Sequence, residues 1–444
     1  MLQTEKSEGE TVRPSSTARD ATAGLTATEW LVLLALAAIQ FTHIVDFIII
    51  MPLEPTLKEA LRINPQQFSF IVAAYAFSAS LAGLCAARFM DRFDRKTALL
   101  WLYAGFTIGT LFCALAQDYV LLLAARAVAG AFGGVVAALI LTIIGDAFPD
   151  ARRGRATGVV MSAFSVASIA GVPAGLYLAN HFGWRAPFAV IAGLGAGVLL
   201  LVRFALPPMR GHLVRGQPLA NSNTWRMLLH PNHLRAYVLM TALVLSTFLI
   251  VPFLASYLVA NVGVSKDQLP YVYLCGGLAT LLTMTWFGRL ADRFGKLPVF
   301  RVLALLTMIP MALLTNLPPV PLMTALVVST LFMITTSGRM VPAVALITAS
   351  AAPRHRGSFL SVNGAVQQMA MGLASLLSGF VIGETAEGSL TGFPLAGLLA
   401  MMAVLMSLWL AGRLRPAEGG EEATIILDQP ARIDASASCA VAAE

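Results

Sequence analysis

The chain has 444 residues, of which 57% are apolar and only 12% charged, and its mean hydropathy is +0.77. A soluble domain averages about 25% charged residues, so this supply cannot cover a water-facing surface, and the same apolar content excludes disorder for the bulk of the chain. The net charge of +7 sits in short loops between apolar runs, which reads as membrane topology and not as a nucleic-acid surface.

In chain order, residues 1–28 are polar and rich in Ser and Thr. They lack the basic start and short apolar core of a cleavable leader. Twelve apolar segments follow, at about 29–53, 67–88, 97–116, 119–145, 157–179, 185–206, 234–258, 268–289, 298–316, 321–347, 357–382 and 392–412. Each is near the roughly 20 residues that span a hydrocarbon core as helix. Such long unbroken runs exclude a transmembrane β-barrel, which needs short alternating segments. The expectation is an all-α membrane protein of two six-helix bundles, 29–206 and 234–412, joined by the polar loop 207–233 and ending in a polar tail, 413–444.

The loops between even- and odd-numbered segments hold most of the 30 Lys and Arg; the odd-numbered loops together hold only Lys58, Arg62, Arg185 and Lys266. The positive-inside rule then places the even-numbered loops and both termini in the cytoplasm. Three charges lie well inside apolar runs: Asp46 in segment 1, Arg126 in segment 4 and Arg339 in segment 10. Each costs about 2.5–3.5 kcal/mol on insertion scales, so each is a functional candidate by default.

Segment 1 carries Gln40, His43 and Asp46 at i, i+3 and i+6, one polar stripe on a helix face, and continues as DFIIIMPLEP. Loop 2–3 reads ARFMDRFDRK over 87–96, and loop 8–9 reads GRLADRFGKL over 288–297, so the halves repeat. Asp91 and Asp292 correspond, as do Arg126 and Arg339. Segment 4 places Gly130, Gly133 and Gly134 after Arg126, and segment 5 reads SIAGVPAG, with Gly171, Pro173 and Gly175. Small residues at one-turn spacing let a second helix approach closely, and proline removes a helical hydrogen bond. Segment 10 reads TTSGRMVP around Arg339, which could pair with Asp46 across the repeat interface or attract an anionic group. Asn363, Gln367 and Gln368 add polar groups in segment 11; Tyr75, Tyr271, Tyr273 and Phe253 are further contact candidates.

These motifs resemble the major facilitator superfamily, over about residues 29–412, and within it the twelve-helix drug:proton antiporter branch that includes arabinose-efflux-permease-like proteins. The loop 2–3 pattern G-x-x-x-D-R-x-G-R-K is matched here with Ala87 and Asp94 in place of both glycines, whereas the second copy keeps Gly288 and Gly295. The resemblance implies that this loop latches one conformation, with Asp91, Arg95 and Asp146 as latch residues and Asp292 and Arg293 as their counterparts. It implies that Arg126 takes part in proton coupling, although Ala129 stands where the family often has Gln. It also implies export, since SIAGVPAG is similar to the antiporter motif, with Val172-Pro173 for the usual Gly-Pro.

The resulting expectation is a proton-coupled exporter working by alternating access in a bacterial-type inner membrane as a monomer. Asp46, Arg126 and His43 would carry the coupling. Gln40, Tyr75, Arg339, Asn363 and Gln367 would line the cavity. Substrates would be drug-like compounds, sugars or metabolites, with no nucleic acid, cofactor or metal, and with the proton gradient as energy source. The four cysteines, Cys85, Cys113, Cys275 and Cys439, form no metal-ligand spacing, and neither a phosphate-binding G-x-x-x-x-G-K-[ST] nor H-E-x-x-H occurs. An uptake carrier of the same fold and a non-transporting sensor stay open. Each buried charge also has a structural alternative, an ion pair or a snorkelling side chain.

Overall fold

In the computed structural model, residues 26–86, 92–207, 229–352 and 356–417 are described. Among them, twelve helices are long and apolar enough to cross a membrane: α1 (Ala27–Ile49), α2 (Pro65–Ala86), α3 (Arg95–Leu115), α4 (Tyr119–Ala147), α5 (Arg152–Phe182), α6 (Ala186–Phe204), α7 (Pro231–Val262), α8 (Lys266–Phe294), α9 (Lys296–Thr315), α10 (Leu322–Ala349), α11 (Arg356–Val381) and α12 (Phe393–Ala411). Their outer faces carry exposed large apolar side chains such as Leu81, Trp101, Phe204 and Leu282, as lipid contact requires.

Local chemistry sets the ends. Thr26 and Glu29 close a reciprocal capping box at the start of α1. Asp94 caps α3, accepting from Thr97 N at 3.1 Å, and Asp118 caps α4, accepting from Leu121 N at 2.9 Å. This explains one departure from the family pattern. In the second copy Gly295 starts α9 with φ +89, a conformation that favours glycine, whereas Asp94 sits at φ −56 and replaces turn geometry with a side-chain cap.

The first helix of each half breaks at a proline. α1 stops at Ile49, short of the expected 53, before Pro52; a short helix, Glu54–Leu61, follows and ends at Arg62 with φ 51. α7 is interrupted at Val251–Phe253, a 3₁₀ turn around Pro252, and ends in a π-helical turn, Leu258–Val262. α5 is not simply bent at Pro173. A π-helical turn, Ala167–Gly171, precedes the proline and absorbs the missing hydrogen bond. A two-stranded antiparallel ribbon, Gly383–Glu384 with Leu390–Thr391, joins α11 to α12. Asn261 of α7 clamps it, donating to Leu390 O and accepting from Leu390 N, both at 2.9 Å. Neither this ribbon nor the Glu54–Leu61 helix is expected from the apolar pattern.

The halves meet along α2 with α11 and α5 with α8. Ser80 Oγ donates to Ala365 O at 2.8 Å, and Ser168 lies against Gly277. At the bundle end remote from the chain termini, two ion pairs also cross between halves: Lys58 with Glu384, and Lys266 Nζ with Glu59 Oε2 at 2.5 Å. Asn180 of α5 adds a bond to Lys266 O at 3.0 Å.

Candidate functional site

Four helices of the first half converge on one buried ion pair. Asp46 of α1 and Arg126 of α4 are both fully buried, with Arg126 Nη1 donating to Asp46 Oδ2 at 2.8 Å. Thr110 of α3 donates to the other carboxylate oxygen at 3.1 Å. Arg126 Nη1 also reaches Asp46 O at 3.2 Å. That carbonyl lies in the last turn of α1, where helical acceptors run out of intrahelical donors. Tyr75 of α2 supplies the fourth wall: its ring centroid is 4.3 Å from the Arg126 guanidinium carbon.

The pair therefore gives the carboxylate two donors, and gives the guanidinium an acid and a carbonyl through Nη1 and a π-face against its plane. Removing one partner of such a pair leaves an uncompensated buried charge, typically a loss of about 3–5 kcal/mol. Around it lies a set of buried polar atoms with no protein partner: both ring nitrogens of His43, Tyr75 OH, Gln40 Oε1, and Nε and Nη2 of Arg126. Gly133 makes room for them, because a Cβ there would sit 2.6 Å from Tyr75 OH and 3.0 Å from His43 Nε2. Phe47 borders the cluster, with its ring centroid 5.3 Å from Tyr75 and 6.4 Å from Phe248 of the other half.

The second half repeats the arrangement without the acid. Arg339 of α10 is fully buried and donates from Nη2 to Ser246 Oγ at 2.7 Å and Thr247 Oγ1 at 3.3 Å, both on α7. Arg339 does not pair with Asp46 across the repeat interface, the alternative the sequence left open; Asp46 is already taken by the arginine of its own half. Asn363 Oδ1 and Gln368 Oε1 on α11 are buried without protein partners, and Gln367 is half-buried. Thr110, Ser246 and Thr247 escape sequence reading because a hydroxyl in an apolar helix is common and usually bonds its own backbone.

The other motif residues fall elsewhere. Arg95 is buried at the start of α3, with Nε 3.1 Å from Asp146 Oδ2 at the end of α4. Asp91 and Ala87 lie outside the described residues. Asp292 is exposed, and Arg293 lies 5.3 Å over the Phe294 ring. Gly130 faces α2, and Gly171 and Gly175 face Val45 and Ile49 of α1, with Pro173 between them. Tyr271 is exposed, Tyr273 is buried with no partner for its hydroxyl, and Phe253 packs against Phe68.

A family model of the Major Facilitator Superfamily matches residues 36–251 and 236–430. The chain belongs to that superfamily. It is 26% identical over 364 residues to the uncharacterized MFS-type transporter YceJ of Bacillus subtilis, covering 80% of this chain and 90% of that one. It is 26% identical over 356 residues to YwfA, an uncharacterized MFS-type transporter of the same organism, covering 79% and 85%. Among solved structures, a D-xylose-proton symporter superposes with TM-score 0.71 at 16% identity, over 85% of this chain and 97% of that one. A bacterial homologue of the human lysosomal transporter Spinster superposes with TM-score 0.65 at 18% identity, over 88% and 95%. The chain is thus a multi-pass membrane transporter of the major facilitator fold, a carrier and not an enzyme.

Proposed function

We propose that this carrier is a proton-coupled exporter of small molecules, in the drug:proton antiporter branch, working as a monomer in the cell inner membrane with both termini cytoplasmic. The bundles 29–206 and 234–412 rock about the cavity between them, and the proton gradient supplies the energy without a cofactor. The observation that carries the reading is the fully buried Asp46–Arg126 pair. A proton on Asp46 removes one charge of the pair, and Arg126 keeps the Asp46 carbonyl and the Tyr75 face as partners. Protonation therefore changes how α4 holds the end of α1, and α1 carries Phe47 at the boundary between halves. His43, Gln40 and Tyr75 beside it offer unpartnered polar atoms next to aromatic rings, which suits partly apolar compounds with a few polar groups. Export is favoured by the SIAGVPAG motif, whose glycines lock α5 onto α1.

The test is proton and substrate movement in proteoliposomes under an imposed pH gradient, with a panel of lipophilic cations, sugars and small anions. Asp46→Asn should abolish substrate-dependent proton flux; the asparagine keeps an oxygen that can accept from Arg126 Nη1, so the variant should still fold, with a lower melting temperature because the Arg126 charge loses its counter-ion. Undiminished coupling in that variant would sink the assignment. Co-directional movement of proton and substrate would make the carrier a symporter and reverse the proposed direction.

A further inference from the structure

Glu54 is fully buried at the bundle end remote from the termini, and neither carboxylate oxygen has a hydrogen-bond partner. It opens the Glu54–Leu61 helix, between Pro52 and Pro55, where the chain turns from α1 toward α2. The charged groups that act on it come from both halves: Lys58 on its own helix, Glu384 on the α11–α12 ribbon and Lys266 at the start of α8. That helix also packs on α2 and on the Leu254–Tyr257 stretch of α7, and both contribute only uncharged residues. Both lysines are already engaged, Lys58 with Glu384 and Lys266 with Glu59. The cluster thus holds two ammonium groups and three carboxylates, and Glu54 is the carboxylate left without a cation.

A buried carboxylate with no cation and no donor is stable only when neutral. We propose that Glu54 is a second proton-binding site of the transporter, built jointly by the two halves, occupied while they are shut at this end and emptied when they part. On opening, the ribbon and the start of α8 withdraw, water reaches Glu54, its O–H bond breaks and the proton passes to that water. On closing, a proton from the same aqueous face must return before the carboxyl is buried again. Burial pushes the Glu54 carboxyl from its ordinary 4.5 up to about 8, with the lysines opposing and Glu384 adding to the rise. The shut arrangement therefore binds the proton more tightly, is favoured in acid, and loses that advantage as pH rises through about 8.

The proposal rests on the alternating-access reading but not on Asp46, and its test needs no substrate. Spin labels at Gln117→Cys and Pro319→Cys, on exposed loops of opposite halves at this end, report the opening by their separation in nanodiscs. The background replaces Cys85, Cys275 and Cys439 and keeps the buried Cys113. Between about pH 5 and pH 8 the open-to-shut ratio should rise by up to about tenfold per pH unit, the limit for one titrating group. Glu54→Gln should abolish that dependence and stay shut; native-like pH dependence in that variant overturns the proposal. If Glu54→Gln does not fold, Glu384→Gln decides: Lys58 is then free to pair with Glu54 and the midpoint moves to lower pH, whereas an unmoved midpoint overturns it. In an Asp46→Asn background the pH dependence should persist. Its loss there assigns the titration to Asp46 and overturns the proposal, while intact dependence beside undiminished coupling would sink only the Asp46 assignment.

Discussion

Arg339 donates to Ser246 where Arg126, its counterpart in the first half, holds Asp46. Both halves hold a buried arginine on the fourth helix, and its partner on the first helix is an acid in one half and a hydroxyl in the other. Only the first half, in consequence, holds a protonatable partner for its arginine among the described residues.

That difference predicts unequal costs of losing each arginine. Arg126→Met strands Asp46 as a buried charge and should destabilise by about 3–5 kcal/mol. The double variant Arg126→Met with Asp46→Asn should recover most of that loss. Arg339→Met removes bonds to two hydroxyls and a cation without a counter-charge, and should cost about 1–2 kcal/mol. Thermal melting of the purified proteins in detergent ranks all three. Equal losses for the two single variants would contradict the account.

The close approach of α4 to α2 predicts a sharp contrast among glycines of one helix. A Cβ on Gly130 would lie 2.3 Å from Tyr75 O, a backbone atom that cannot swing aside. Gly130→Ala should therefore cost about 1–3 kcal/mol through overpacking and displace Tyr75 from Arg126. Gly145, on the same helix, has nothing within 4 Å of the added atom, and Gly145→Ala should be neutral or stabilise by up to about 1 kcal/mol. Melting temperatures of the two variants decide it.

A separate pH prediction concerns overall stability. The folded Glu54 carboxyl is raised to about 8, above its ordinary 4.5, so the folded state holds a proton that the unfolded state has released between those values. Native stability should fall across that window relative to Glu54→Gln, which cannot ionise. The two proteins should melt alike near pH 4.5 and diverge steadily as pH rises to about 8, by roughly 1.4 kcal/mol for each pH unit crossed. Parallel melting curves at every pH would count against a buried protonated carboxyl.

The two crossing ion pairs lie near the surface and are screened by salt. Lys266 and Glu59 retain 31% and 69% of their side-chain exposure, so this pair should contribute no more than about 1 kcal/mol. Lys58→Met with Lys266→Met should widen the mean spin-label separation at that end, and raising ionic strength should move the native protein the same way. No response to salt in the native protein would mean that these two ion pairs do not hold this end shut.

Much of this is legible in the chain itself, for a physical reason. Charges are rare inside apolar runs, so Asp46, Arg126 and Arg339 stand out, and apolar length alone locates the helices to within a few residues. Pairing is not legible. Which arginine meets Asp46 depends on how helices rotate about their axes, and weak amphipathicity in lipid leaves that rotation unmarked. Asp94 reads in the sequence as a defect in a glycine turn, yet its carboxylate caps Thr97 N. Glu54 reads as a loop residue, because two of the charged groups that act on it, Lys266 and Glu384, lie more than two hundred and more than three hundred residues away and meet it only in the folded chain.

The wide turn at Ala167–Gly171 shifts the register of α5. One extra residue in a turn sets everything after it back by about 100° relative to an unbroken α-helix. Gly175 meets Ile49 on the face so shifted. A residue beyond the turn shows the side that simple periodicity assigns to its predecessor, so a helical wheel drawn from Arg152 misplaces every position after Gly171 by one residue's rotation.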